Sequence, residues 1–151
     1  MQRRNMQQTA RAEVRGTGKY GSIHGTVLFK QVQGGVLVTA QIYGLPDEPE
    51  KNRIFGFHIH AGTSCTGNST DPLADALGHY NPGNTEHPYH AGDMPPLFGN
   101  NGYAYMTFFT DRFMVREIIG RVVIIHDMPD DFRTQPSGDS GMKIACGKIG
   151  W

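Results

Sequence analysis

Histidine is the residue type through which this sequence most clearly offers chemistry. Six of the seven histidines fall between residues 58 and 126, and the first two of these, His58 and His60, lie in the segment GFHIH. A neutral imidazole binds zinc, copper, iron or nickel. Because alternate residues of a β-strand share a face, an HxH strand presents two imidazoles side by side to one metal. Alone, the motif is a weak indicator, since such pairs also occur on polar surfaces.

A second group lies in the segment GHYNPGNTEHPYHAGD, which is rich in glycine, asparagine and proline. Its candidate ligands are His79, His87, His90 and Asp93. Three imidazoles and one carboxylate complete a tetrahedral zinc shell, and a zinc shell with no open position is structural rather than catalytic. Metal binding would also order a segment that has no periodicity of its own. The pattern therefore predicts a structural zinc site.

Two histidines lie outside these segments. His126 ends the apolar run VVIIH, and by itself it is expected to be a strand-end residue. Together with His58 and His60 it becomes a third imidazole available to one metal. His24, in the segment GSIHG, is expected to be an ordinary exposed strand histidine.

The composition predicts an all-β protein of one domain. The chain has 151 residues and 20 glycines, about 13% against roughly 7% on average, as expected of many turns between short strands. Eight strands are predicted, at residues 10–14, 22–33, 36–43, 53–60, 103–109, 113–117, 121–126 and 142–149. With long loops at 61–102 and 127–141, they indicate an eight-stranded Greek-key β-barrel or sandwich. Residues 1–8 are expected to be a flexible N-terminus, and residues 9–151 the domain.

Charge and hydropathy exclude several classes. The 14 basic and 14 acidic residues cancel, so nothing favours a nucleic-acid partner. The longest aliphatic run, residues 122–125, is far shorter than the ~20 residues of a membrane span. The first residues are basic but lack an apolar segment, so no secretion signal is expected.

Cys65 and Cys146 have no CxxC spacing, which argues against thiolate zinc ligation. Their spacing fits either a disulfide or two buried thiols.

The motifs together resemble the copper/zinc superoxide dismutases. The resemblance rests on GFHIH, GHYNP, HAGD, the apolar run into His126 with Asp130 four residues later, and GMKIACG. It extends over about residues 10–150. Cys65, five residues after His60, and the segment GDMPPLFGNNGYA look closer to the bacterial branch.

The resemblance implies two ligand sets that share one residue. They are, for copper, His58, His60, His79 and His126 and, for zinc, His79, His87, His90 and Asp93. His79 would bridge the two metals through its two nitrogens. Asp130 would link a copper ligand to a zinc ligand and so orient both rings. The resemblance also implies a disulfide between Cys65 and Cys146.

The implied activity is the conversion of superoxide into dioxygen and hydrogen peroxide. Superoxide would alternately reduce and oxidise the copper, while the His79 bridge to copper would open and take up a proton. The partner is the superoxide anion, and a homodimer is possible, with Trp151 packing within the domain or against a partner. Family resemblance and the disulfide favour an extracytoplasmic location.

One position departs from the family. An arginine that attracts and orients the anion normally lies three residues before the last cysteine, where this chain has Lys143. Lysine keeps the charge but lacks the rigid donor fork of arginine, so a reduced rate is expected.

Two alternatives follow from these residues. One is a copper/zinc-binding protein on the same fold, a metal carrier or store with little dismutase activity. Lys143 keeps this alternative open, whereas retention of all four copper histidines argues against it. The other is a cupin-type mononuclear metal enzyme, which needs a glutamate shortly after His60. The following segment, AGTSCTG, has none.

Overall fold

The computed structural model describes residues 8–151, and antiparallel β-strands are its main regular secondary structure. Apart from Gln8, the expected flexible N-terminus lies outside these residues. The strands are β1 (Thr9–Gly16), β2 (His24–Val32), β3 (Gly35–Tyr43), β4 (Ile54–Phe55), β5 (Phe57–His60), β6 (Leu97–Phe98), β7 (Ala104–Thr110), β8 (Val122–His126) and β9 (Lys143–Gly150). Short 3₁₀ turns lie at Gly18–Tyr20 and Ala74–Ala76, and one α-helix, α1, spans Val115–Ile118. No helix among residues 8–151 is long and apolar enough to cross a membrane.

Seven strands form one curled sheet in the order β5-β8-β9-β1-β2-β3-β7, and β4 pairs with β6. Its pairings are antiparallel. The chain passes from β3, near one end of this order, to β5 at the other end, which is a Greek-key connection. The predicted all-β Greek-key fold is confirmed.

The predicted strand at 113–117 is wrong, because part of this segment forms the one-turn helix α1. Its two buried residues, Val115 and Ile118, are three positions apart and so share a helical face. The Glu117 carboxylate accepts the backbone N–H of Met114 at 2.7 Å, which satisfies a donor at the helix start. This local hydrogen bond favours a turn where apolar alternation suggested a strand.

The predicted strand 53–60 is two strands divided at Gly56. Ile54–Phe55 pairs with Leu97–Phe98, a strand inside the segment expected to be a loop. At Gly56 the backbone changes partner: its N–H donates to Met128 and its carbonyl accepts from His126. A Cβ at Gly56 would lie 2.7 Å from Ser140 Oγ, so the close approach requires glycine.

Strand β5 is buried on both faces. Phe57 and Ile59 belong to the main apolar core, as the alternation predicted. His58 and His60, on the opposite face, are only 0% and 3% exposed. They are covered because the long loop that follows folds back over this face. Two imidazoles are therefore fixed on a rigid strand and almost fully buried.

The loop is held to the sheet by backbone hydrogen bonds along the free edge of β5. Ile59 N–H donates to Gly92, and Tyr80 N–H donates to Ile59. These bonds place His79 beside His60 and Asp93 beside His58, as isolated β-bridges.

Apolar contacts and a disulfide hold the other part of the loop. Leu73 and Ala76 pack with Val122, Ile124 and Cys146 on the outer face of β8 and β9. Cys65 and Cys146 form a disulfide with a Cα–Cα distance of 5.8 Å. In the chain-entropy model, closing a loop of this length stabilises the fold by about 4.5 kcal/mol.

Candidate metal centre

Four imidazoles converge where β5 and β8 lie side by side. His58 and His60 project from β5, His126 ends β8, and His79 enters from the loop. Their nitrogens lie within 4.8 Å of one another. Within the group, His60 Nε2 and His126 Nε2 lie 3.2 Å apart. Antiparallel pairing of the two strands is what brings the HxH motif next to a residue 66 positions away.

The second group forms around the carboxylate of Asp93. Its Oδ1 lies 2.8 Å from His79 Nδ1, and its Oδ2 lies 3.1 Å from His87 Nδ1 and 3.2 Å from His90 Nδ1. Oδ2 also accepts the backbone N–H of His90 at 2.9 Å. The three imidazoles and the carboxylate thus point at one another, with their ligand atoms within 4.8 Å.

His79 belongs to both groups. Its Nδ1 faces Asp93, whereas its Nε2 is buried without a hydrogen-bond partner. Its ring stacks on that of His58 with centroids 3.9 Å apart. The two sides of one imidazole therefore face two different ligand groups.

Asp130 orients one histidine of each group. It accepts a hydrogen bond from His58 Nε2 at 2.8 Å and one from His87 Nε2 at 2.7 Å. The Phe132 N–H also donates to its carboxylate, at 2.8 Å. Because Nε2 is assigned as the donor in both rings, each Nδ1 carries a lone pair. For this reason His87 Nδ1 does not donate to the nearby Asp93.

Backbone carbonyls orient two further rings, and here Nδ1 rather than Nε2 is the donor. His60 Nδ1 donates to Leu77 at 2.7 Å, and His126 Nδ1 donates to Gly141 at 3.2 Å. Their Nε2 lone pairs are thereby directed inward. Such hydrogen bonds on the far side of the ring are the usual support of a histidine metal ligand.

The residues fit copper and zinc because buried nitrogens in both groups lack a partner. These are His58 Nδ1, His79 Nε2 and His87 Nδ1. Leaving such a polar atom buried and unpaired costs about 1–3 kcal/mol, and a metal ion would remove this cost. Four imidazoles suit copper, while three imidazoles and a carboxylate complete a structural zinc site.

Burial keeps three imidazoles of the first group uncharged. It lowers the pKa of His58 to about 4, despite the opposing hydrogen bond with Asp130, and the pKa of His126 to about 3. Burial also lowers the pKa of His60 well below its ordinary value. For Asp130, burial acts to raise the pKa, but hydrogen bonds from His58 and His87 outweigh it and lower the pKa to about 2. Near pH 7 His58, His60 and His126 are therefore neutral imidazoles, and Asp130 beside them is ionised.

A cavity of about 420 Å³ opens onto this group, and His60, His79 and His126 line it. Lys143, which the sequence predicted to attract the anion, also lines the cavity. Its Nζ lies 2.7 Å from Asp71 Oδ2.

Asp71 was not predicted from the sequence. It lies in a polar loop 72 positions from Lys143, and no local pattern links the two residues. His24, by contrast, is exposed and stacks on Tyr43, as expected for a histidine outside the site.

The low histidine pKa values predict that the metal-free protein loses stability as the pH falls. His58 and His126 titrate near 6.5 in the unfolded chain but at about 4 and about 3 in the folded protein. Below pH ~6.5 the unfolded chain therefore binds more protons, which favours unfolding. Going from about pH 7.5 to about pH 5 should cost about 2 kcal/mol for each residue, measured by denaturant unfolding of chelator-treated protein.

The comparison is metal-free His126→Gln, which lacks one of the two shifted groups and should lose about 2 kcal/mol less over the same pH range. Asp130, with a pKa of about 2, stays ionised over this range and contributes nothing to the change. A metal-free protein as stable at pH 5 as at pH 7.5 would contradict the prediction.

Gly138 is predicted to support zinc binding because it leaves room for the Asp130 carboxylate, which orients His87. A Cβ at Gly138 would lie 1.9 Å from Asp130 Oδ1 and 2.6 Å from His87 Nε2. Gly138→Ala should therefore displace the carboxylate and weaken zinc binding by about 10- to 100-fold in a competition titration with a chelator. Gly34→Ala is the matched control, because Gly34 also has a positive φ but open space at its Cβ. Equal zinc affinities in the two variants would refute this role.

Comparison with known proteins places these residues in a family. Residues 23–149 match the family model described as copper/zinc superoxide dismutase. The Cu-Zn superoxide dismutase of Deinococcus radiodurans is 31% identical, over 93% of this chain and 84% of that protein. The enzyme of Legionella pneumophila is 35% identical, over 83% of this chain and 76% of that protein. Cu-Zn superoxide dismutase A of Xenopus laevis is 31% identical, over 87% of this chain and 91% of that protein. The two bacterial relatives are consistent with the resemblance to the bacterial branch.

Proposed function

The chain belongs to the copper/zinc superoxide dismutase family, and we propose that its two ligand groups convert superoxide into dioxygen and hydrogen peroxide. The observation that carries the proposal is His79, a single imidazole shared by two complete ligand groups with one buried nitrogen free of any protein partner. The enzyme is an oxidoreductase whose cofactors are copper and zinc.

We assign copper to His58, His60, His79 and His126, and zinc to His79, His87, His90 and Asp93. Bound copper supplies the one-electron redox chemistry of the reaction. The protein holds the ligands of both metals in one orientation through Asp130 and the backbone carbonyls described above. It thereby prepares both sites before the metals bind.

His79 is placed to hold and release a proton. Its Nδ1 is fixed by Asp93 at 2.8 Å, and its Nε2 has no protein partner. Because the ring lines the cavity, we infer that it can pass a proton to a substrate bound there. The zinc group keeps this ring in place while the proton moves.

Lys143 supplies positive charge at the cavity. An ammonium group attracts an anion but does not offer the planar, bidentate donors of a guanidinium. Its pairing with Asp71 lowers the net positive charge at the cavity. The lack of bidentate donors supports a slower enzyme than one with arginine at this position.

The same ion pair favours the second candidate function, a copper/zinc carrier or store with little turnover. A superoxide-consumption assay on protein with one copper and one zinc per chain separates the two. Dismutase activity that disappears on copper removal supports the enzyme. Absence of activity with both metals bound would contradict it and favour the carrier.

Lys143→Arg is predicted to increase the dismutase rate of the metal-loaded protein by about two- to tenfold, because a guanidinium orients the anion as well as attracting it. Lys148→Arg is the matched control, since Lys148 is exposed on the same strand and does not line the cavity. The rate is measured at matched copper content. A rate unchanged by Lys143→Arg would show that lysine is not limiting.

The homodimer stays a prediction. Trp151 is 65% exposed in the single chain, so packing within the domain, one of the two expectations for this side chain, does not occur. Its exposure leaves it available to a partner.

A further inference from the structure

The ion pair between Asp71 and Lys143 is a built feature of the cavity. Lys143 is the more buried partner, with a side chain 17% exposed against 41% for Asp71. At 2.7 Å the contact is a charge-assisted hydrogen bond. Asp71 Oδ1 separately accepts the Leu73 N–H at 3.0 Å, so the loop orients the carboxylate independently of the lysine.

The hydrogen bond from Lys143 helps to lower the pKa of the Asp71 carboxyl group. Burial acts to raise the pKa of Asp71, but the hydrogen bonds from Lys143 and from the Leu73 backbone outweigh it, and the pKa is lowered. The carboxylate is therefore ionised near neutral pH. The positive charge of Lys143 is therefore offset by the negative charge of this carboxylate.

No other charge in the cavity offsets this pairing. Apart from its three imidazoles, Asp71 and Lys143 are the only titratable side chains among the described residues that line it. Apart from bound copper, an anion that enters therefore meets a paired ammonium and carboxylate rather than an unpaired positive side chain. Both charges act over several ångströms, so the carboxylate opposes the attraction by the ammonium.

We propose that Asp71 is a positioning residue that holds the Lys143 ammonium toward the loop and limits the affinity of the copper cavity for small anions. The proposal rests on the copper site assigned above. In this proposal two side chains set the anion affinity of the cavity: Lys143 attracts the anion, and Asp71 offsets part of that attraction. Superoxide and small inorganic anions share the negative charge on which this acts.

Asp71→Asn tests the proposal with azide, a small anion that binds cupric ions. The amide keeps the size of the side chain and an oxygen for the Leu73 N–H but removes the charge. Azide is titrated into copper- and zinc-loaded protein, and its dissociation constant is read from the azide-to-copper absorption band. In Asp71→Asn the dissociation constant should fall by about three- to tenfold at low salt, and by less at high salt.

Two further variants make the result specific. Lys143→Met should raise the dissociation constant, because it leaves the carboxylate without its cation. Asp75→Asn removes the same charge from an exposed position in the same loop that does not line the cavity, and it should leave azide binding within about twofold of the wild type. A merely structural role of Asp71 would not produce opposite shifts for the two members of the pair.

The outcomes distinguish this inference from the assignment of the metal site. A normal azide band with a dissociation constant unchanged or raised in Asp71→Asn would overturn the role of Asp71 alone. An equal effect of Asp75→Asn would overturn it too, since overall charge would then be the cause. Absence of an azide band in wild-type protein that contains bound copper would contradict the copper site itself, and with it this inference.

Discussion

Burial of neutral imidazoles beside one another is the constraint on which the structure depends. His58, His79 and His87 each keep a buried nitrogen with no donor from the protein. Protonation of such a nitrogen is unfavourable at His58, because burial and a neighbouring imidazole both oppose a positive charge there. A folded chain tolerates such atoms at a cost, and metal ions recover that cost. Metal binding and folding energy are therefore coupled in this protein.

The fold meets this constraint by dividing the ligands between a rigid sheet and a loop. Strand β5 fixes two imidazoles, and its free edge hydrogen-bonds the loop that carries the second group. Asp130 then joins the two parts by hydrogen bonds to His58 and His87. The disulfide from Cys65 to β9 anchors the beginning of the loop. A displacement of any one part would be transmitted to both ligand groups.

Local sequence patterns were reliable where one physical signal dominated. Alternation in the segment FHIH separated a core face from a ligand face, and the structure retains this separation while burying both. The same reasoning was wrong at 113–117, where a hydrogen bond from the Met114 N–H to Glu117 favours a helical turn. It also missed the strand Leu97–Phe98, which is only two residues long and depends on Ile54–Phe55 for its hydrogen bonds. So short a strand has no period to detect.

The amino-acid sequence by itself determined which ligand types are present, their order and the fold class, because imidazole density, strand alternation and glycine content are local properties. Only the tertiary structure decided which nitrogen of each ring faces inward, since Asp130 and the carbonyls of Leu77 and Gly141 set the tautomers. It also decided that Lys143 is paired with Asp71. The physical reason is the same in both cases: a hydrogen bond depends on distance and direction between groups far apart in the chain. Folding alone brings those groups together.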